Sequence, residues 1–510
     1  MAHRQPEPVR LESADLAERL AELLVADGFV PSPPSVIDRV WLDTFDWRLW
    51  RAGLVLEQDH DELSSWLRVR HLGAWGPGES VAELELDEPP LFADDLPSGP
   101  LGKMVEDLAG VRTFREVGEA EIIETSYVRR NADEKIVVRV LLEQGVGPEP
   151  VAILLPVRGY EKAARRAMNL LVAVAGPEGP APDPLVRIAH AAGREPGDRG
   201  AAFRPELGSV DTAREALASL LELLVHELVV NRDGTVEGVD IEFLHDFRIA
   251  VRRLRTILES SRRLLDRDGW REVTRELRWL GRMTSPVRDL DVQILEFDRL
   301  RTRIPKARHT HLDALFDLLV ERREEVHAEL GEALRSDRFA QLLVTVGQLD
   351  ARDEVWKRRA TGSPSRHAQR EIRRAYHRLV DRGRAITEDS PDSALHDLRK
   401  DAKRLRYLLE AYASLFPPKL VKMCIGEMKG LQKHLGRYQD ACYQIIDLGS
   451  RGRELVAAGR VGTDELLTIG GLVEDLDRRR HQLRTQFPRR FAAFDTDANH
   501  KAYERLVAKP

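Results

Sequence analysis

LHDFRIAVRRLRTILE, residues 244–259, returns 151 residues later as LHDLRKDAKRLRYLLE, residues 395–410. At the same offset, without a gap, Asp289 falls on Asp440, Leu280 on Leu431, Arg278 on Lys429 and Arg282 on Lys433. Two separated blocks at one spacing indicate duplication of a structural unit. At ~100° per residue, His245, Arg248, Arg252 and Arg255 share one arc of a helix. Phe247, Val251, Leu254 and Leu258 occupy the arc beside it. The second copy places His396, Arg399, Lys403 and Arg406 beside Leu398, Ala402, Leu405 and Leu409. Each copy thus carries one basic stripe next to one stripe suited to a core.

Cations spaced three and four residues apart on a helix repel, by a few tenths of a kcal/mol per pair. A solvated face normally interleaves glutamates, yet neither stripe meets an acid until Glu259 and Glu410. An anion laid across the stripes removes the repulsion. Arginine supplies forked donors that match phosphate oxygens, and lysine adds a point charge. One such stripe reads as an ordinary solvated face; two matched stripes favour an anion site, with Arg278, Arg282, Lys429 and Lys433 as secondary contacts. Asp246, Asp289, Asp397 and Asp440 are expected to orient stripe residues or cap helices.

Outward from the repeat, Leu/Arg/Glu-rich segments at helical period fill residues 209–510. A break at Ala360–Ser365 separates halves of about 209–360 and 361–510, each expected to be a four-helix bundle. Residues 176–208, rich in Pro and Gly, read as an extended linker with room for one short helix. Residues 1–175 read as α+β. Leu16, Leu20, Leu23 and Leu24 mark a first helix, and Tyr160–Val174 a last one. Between them, short β-like runs at Val40–Thr44, Gly53–Gln58, Trp66–His71, Val81–Leu86, Ile122–Arg129, Lys135–Gln144 and Ala152–Pro156 predict an antiparallel sheet or barrel.

The 510 residues carry a net charge of −6, which hides an asymmetry. Residues 1–200 hold 22 Lys+Arg against 35 Asp+Glu, whereas the remainder holds 57 against 50. A chain with an acidic and a basic half suggests that the basic half meets an anionic partner. Two cysteines, Cys424 and Cys442, are too few for a disulfide framework. No run of 18 apolar residues occurs and MAHRQPEPVRLES has no apolar core, so neither a membrane span nor a secretory signal is expected. A cytoplasmic location is the simplest expectation.

With LRWLGRMTSPVRDLDV (277–292) and MKGLQKHLGRYQD (428–440), the two repeat blocks resemble the CHAD family, the conserved-histidine α-helical domain, over roughly 209–510. The resemblance implies two pseudo-symmetric four-helix bundles, binding of inorganic polyphosphate through a basic surface, and association with polyphosphate granules. Family positions carry over to His245, Arg248, Arg252, Arg255, His396, Arg399, Lys403 and Arg406. Arg288 matches the arginine of the family's RDxD segment, where the second copy has Gln439.

WLDTFDWRLWRAGLVLE (41–57), WLRVRH (66–71) and LLPVRGYEKAA (154–164) resemble a CYTH domain, the triphosphate-tunnel fold. Catalytic members open with Glu-x-Glu-x-Lys, which supplies metal carboxylates and a phosphate-binding lysine. Here the opening reads EPVRLES (7–13), and Glu7 and Glu12, five apart, cannot share a strand face. Arg68 and Arg70 do share one, as do Glu83 and Glu85, the arrangement paired metal carboxylates need. The missing motif argues against hydrolysis. No catalytic residue, metal ligand or cofactor is assigned; triphosphate or polyphosphate hydrolysis with a divalent metal in this domain is the alternative.

Other chemistry finds little footing. His-Asp pairs occur at 60–61, 245–246 and 396–397, but the cations beside the latter two oppose a metal by Coulomb repulsion. No phosphate-binding loop, H-E-x-x-H or C-x-x-C motif is present. Nucleic acid is disfavoured because the stripes lack stacking aromatics apart from Tyr407. No membrane partner is expected, and a scaffold role through apolar contacts predicts no dependence on the stripes. Histidines of ordinary pKa predict polyphosphate affinity rising toward about pH 6.

Overall fold

The computed structural model describes residues 6–61, 64–75, 80–175, 181–199 and 203–508. The chain divides into two units, Met1–Ala202 and Phe203–Pro510.

The first unit is built on an antiparallel nine-stranded sheet. Its strands are β1 (Glu7–Arg10), β2 (Val30–Pro31), β3 (Ser35–Thr44), β4 (Leu54–His60), β5 (Ser65–His71), β6 (Ser80–Glu85), β7 (Phe114–Arg130), β8 (Ile136–Gly145) and β9 (Gly147–Pro156). The sheet runs β1-β9-β8-β7-β3-β4-β5-β6, with β2 on β7. Helices α1 (Ala14–Ala26), α2 (Arg48–Arg51), α3 (Pro100–Ala109), α4 (Glu161–Ala175) and α5 (Pro184–Ala191) accompany it. The period-2 alternation that predicts strands also sorts their faces. Leu54, Leu56, Leu67 and Val69 pack beneath α3, while Glu57, Asp59, Arg68 and Arg70 line a cavity. Gly145 turns β8 into β9 at φ +113°, where a Cβ would collide with the carbonyl oxygen of Glu121.

The linker expected over 176–208 lies outside the described residues at 176–180 and 200–202. Residues 181–199 within it are not extended throughout. They carry α5, whose Leu185 and Ala189 are buried with Trp41, Trp47 and Val55 of the first unit.

The second unit is helical. It comprises α6 (Ala213–Glu237), α7 (Ile241–Ser260), α8 (Arg267–Leu295), α9 (Phe297–Arg301), α10 (Asp313–Arg335), α11 (Asp337–Gly347), α12 (Pro364–Arg384), α13 (Asp392–Ala411), α14 (Pro418–Ala457), α15 (Thr463–Phe494) and α16 (Asp497–Leu506). Helices α6, α7, α8 and α10 correspond to α12, α13, α14 and α15, as the duplication predicts. Asp240 caps α7 by accepting from the backbone N–H groups of Glu242 and Phe243. The predicted stripes Phe247, Val251, Leu254, Leu258 and Leu398, Ala402, Leu405, Leu409 are all buried in one core that spans both halves. A separate core joins Leu290, Leu315 and Leu319 of the first half to Leu448, Leu472 and Leu476 of the second. Polar side chains on α7, α8, α13 and α14 that belong to neither core form the site described next.

Candidate functional site

Helices α7 and α13 pack against each other, and the charges beside their shared core reveal a two-fold relation. Arg253 of α7 pairs with Glu410 of α13 at 3.1 Å, and Arg404 of α13 pairs with Glu259 of α7, also at 3.1 Å. The two pairs exchange under the 151-residue offset, and both arginine side chains are 19% exposed. A second exchange-related set lies within each half: Arg248 is 4.0 Å from Asp289, and Arg399 is 3.9 Å from Asp440. The dyad therefore extends from backbone to side-chain charges.

The stripe positions differ in what holds them. Arg248 is buried, donates to the carbonyl oxygen of Thr284 on α8 and leans on Asp289. Burial and Arg252 pull its guanidinium down to about 10. Arg252 and Arg255 are exposed, and Lys403 and Arg399 are half-buried. Among the described residues no carboxylate pairs with Arg252, Arg255 or Lys403. Burial, then Arg399 and Arg252, lowers the Lys403 ammonium to about 7. The Arg399 guanidinium is lowered too, by burial and against the pull of Asp440, with Arg252 adding to the shift. Cations of both halves thus meet at the dyad. Arg406 instead bonds Glu410 at 2.6 Å on its own helix.

His396 lies 2.6 Å from Oε1 of Gln439 through Nδ1. His245 is half-buried on the equivalent turn of α7. Arg288 donates to the carbonyl oxygen of Ile241 at 3.1 Å and approaches Glu242, one turn before His245 on α7, and its charge bears on Arg248. Arg278 and Arg282 are exposed on α8, and their charges bear on Arg255, whose guanidinium burial also lowers. Lys429 and Lys433 are exposed on α14.

Two further cation groups escape the periodicity. A cavity of about 270 Å³ is lined by Lys433, Arg437, Arg299, Arg303 and Arg479, with Glu296 and Asp440 as its carboxylates. Asp440 ties it to the dyad: burial raises its carboxyl above the usual range, while Arg399 and Lys403 pull the other way. The second group is a shallow depression lined by Arg262, Arg263, Lys357, Arg358 and Arg359, with no carboxylate in its lining. An antiparallel bridge from Leu265 to Trp356 and the bond from the Lys357 N–H to the Leu264 carbonyl bring these two segments together. The basic runs are visible in the sequence, but their contact is not. The depression belongs to one half alone, since Arg262 and Arg263 align with Ala413 and Ser414.

The first unit encloses a different site. A cavity of about 300 Å³ is lined by Arg39, Arg68 and Arg70 together with Glu57, Asp59, Asp61, Glu83, Glu124 and Glu143. Every one of these arginines is engaged. Arg39 forks onto Asp59 at 2.5 and 2.9 Å, and Arg68 donates to the same carboxylate at 2.7 Å. Arg70 bonds Glu57 at 3.0 Å and forks onto Asp183 at 2.6 and 2.9 Å. Asp183, the N-cap of α5, also accepts from the N–H groups of Gly73 and Leu185. Glu7 stands on β1 but Glu12 lies beyond it, and Arg10 pairs with Glu149 at 3.0 Å. Glu83 and Glu85 are exposed on the edge strand β6, where Glu83 also lines the cavity mouth beside Arg68. Among the described residues no group of three or more His, Cys, Asp or Glu is placed to hold a metal ion. No described helix is long and apolar enough to cross a membrane.

Residues 219–446 match the CHAD domain, so the second unit carries that domain over most of both repeat halves. Two proteins of Mycobacterium tuberculosis, from strains CDC 1551 and H37Rv and both named only as uncharacterized, are each 27% identical to this chain over 246 residues. The match covers 46% of this chain and 44% of each relative, so the chain spans less than half the length of these curated relatives. Among solved structures, the CHAD domain from the plant Ricinus communis is similar at 22% identity and a TM-score of 0.45, covering 60% of this chain and 98% of that one. A Hippeastrum protein, described as a candidate adenylyl cyclase with a dominant triphosphatase activity, is similar at 15% identity and a TM-score of 0.28. That likeness covers 38% of this chain and 98% of the other.

Proposed function

We propose that the CHAD domain of this chain binds inorganic polyphosphate along the groove between its two repeat halves. One contrast carries the reading. On α7 and α13, Arg253 and Arg404 are each matched by a carboxylate across the dyad, while Arg252, Arg255 and Lys403 have none among the described residues. The fold can place acids against arginine on these helices, and it leaves these stripe positions open. Their mutual repulsion is relieved when an anion lies across them. The groove presents repeated cations with few aromatic rings, which suits a polymer of phosphates without bases. The 270 Å³ cavity around Lys433 and the depression around Arg358 extend the cationic surface beyond the stripes. A place at polyphosphate granules in the cytoplasm follows from the same reading.

The test is binding of long-chain polyphosphate to the full chain over a salt series, with double-stranded DNA as control. The variant R252A/R255A/K403A/R406A is run beside it. Tight binding that weakens steeply with salt, is lost in the variant and is not matched by DNA supports the groove. Equal binding to DNA reduces it to a general polyanion surface. Undiminished binding by the variant removes the stripes from the reading.

A further inference from the structure

The cavity of the first unit has the wrong sign for a triphosphate. Its lining offers three arginines against six carboxylates. The arginines that would meet phosphate oxygens are already taken, Arg39 and Arg68 by Asp59, and Arg70 by Glu57 and Asp183. What remains is negative. Glu124 on β7 and Glu143 on β8 sit directly opposite each other in the strand register, facing the cavity. Like charges in that position destabilise a sheet unless something lies between them. Glu143 is only 9% exposed and has no hydrogen-bond or ion-pair partner among the described residues. An unpaired carboxylate at that depth is costly, so the protein either keeps it protonated or supplies a cation.

We propose that this cavity binds a small aliphatic di- or polyamine, with one ammonium group held between Glu124 and Glu143. Several features select an organic cation. Among the described residues no group of three carboxylates is placed to hold a metal ion. An ammonium donates hydrogen bonds to two carboxylates without a coordination shell. The volume of about 300 Å³ admits an extended chain of a few carbons, and Trp66 and Trp75 in the lining offer apolar and ring surface to its methylenes and cationic ends. Burial raises the carboxyl of Glu143 to about 7 and that of Glu124 above its usual range. An ammonium beside them reverses that shift, so amine uptake near neutral pH releases protons.

Isothermal titration of the full chain with spermidine, and separately with 1,4-diaminobutane, tests this in two buffers of different ionisation heat. The expected result is one saturable site per chain, proton release, and at least tenfold weaker binding in E143Q and in E124Q. Circular dichroism confirms that each variant is folded, and E124Q serves if E143Q is not. The proposal is overturned if neither amine binds. It is also overturned if both variants bind as the wild type does, which marks diffuse attraction to an acidic surface. Tripolyphosphate or magnesium ions occupying the site in preference to either amine, with loss in E143Q, overturns it as well.

Discussion

Raising the pH should weaken polyphosphate binding through one side chain, Lys403. Its ammonium is lowered to about 7 by burial and then by Arg399 and Arg252. A phosphate chain beside it adds the missing negative charge and holds the proton, so Lys403 titrates well above its free value in the complex. The free protein must then take up a proton to bind tightly. With a free value of about 7 and a bound one of about 9 or higher, Kd rises about six- to eightfold between about pH 7.5 and 8.5, or about 1.1–1.2 kcal/mol. Internal phosphates of a long chain keep their charge there. The assay is fluorescence anisotropy with end-labelled long-chain polyphosphate at fixed ionic strength. K403R, which stays charged throughout, should bind with a flat profile. A flat profile in the wild type refutes the reasoning, and so does an unchanged slope in K403R.

Three further outcomes follow from the geometry. R263A/R358A/R359A should lower the log–log salt slope of polyphosphate binding by up to about 2, if each contact is worth about 0.7; an unchanged slope removes the depression from the binding surface. E410A strips Arg253 and Arg406 of their partner and should destabilise the second unit by about 1–3 kcal/mol in urea denaturation. E259A, whose carboxylate is 60% exposed, should cost less than E410A, and the reverse order counts against the burial argument. His367 is buried, is approached by Arg370 at 2.9 Å and is lowered to about 4 by burial, then by Arg370 and Arg374. Its contribution is complete above about pH 6.5 and is lost as pH falls toward 4, because the unfolded chain binds the proton first. H367Q should flatten that part of the stability profile, measured by thermal melts between those two values.

The helical unit was legible because duplication writes one pattern twice. Leu254 and Leu405 are core in both copies, and their neighbours Arg255 and Arg406 are both exposed. Periodicity on a single helix could not separate Arg252 from Arg248, because burial of Arg248 depends on α8 and the Thr284 carbonyl. Nor could it see that Glu410 is shared by Arg253 and Arg406. Arg299, Arg303 and Arg479 reach the cavity around Lys433 from elements distant in sequence, and no spacing announces them. In the first unit, alternation located the strands from β3 to β9, yet β1 and α5 carry too few residues to show a period. Asp183, placed in a stretch that composition reads as linker, ties the start of α5 to Arg70 and the Gly73 N–H.

The exchange of Arg253–Glu410 with Arg404–Glu259 has a consequence for how a polymer is met. A surface with a dyad looks the same from either end. A linear phosphate chain has no head or tail, so on the proposed reading it meets equivalent positions, Arg248 or Arg399 and Arg252 or Lys403, whichever terminus arrives first. Nucleic acid strands have polarity, and a dyad forces one half of the groove to read such a strand backwards. Orientational indifference of this kind would widen the productive encounters open to a polyphosphate chain. The Arg262–Arg359 depression, present in one half alone, is one place where that indifference ends, and Arg288 opposite Gln439 is another.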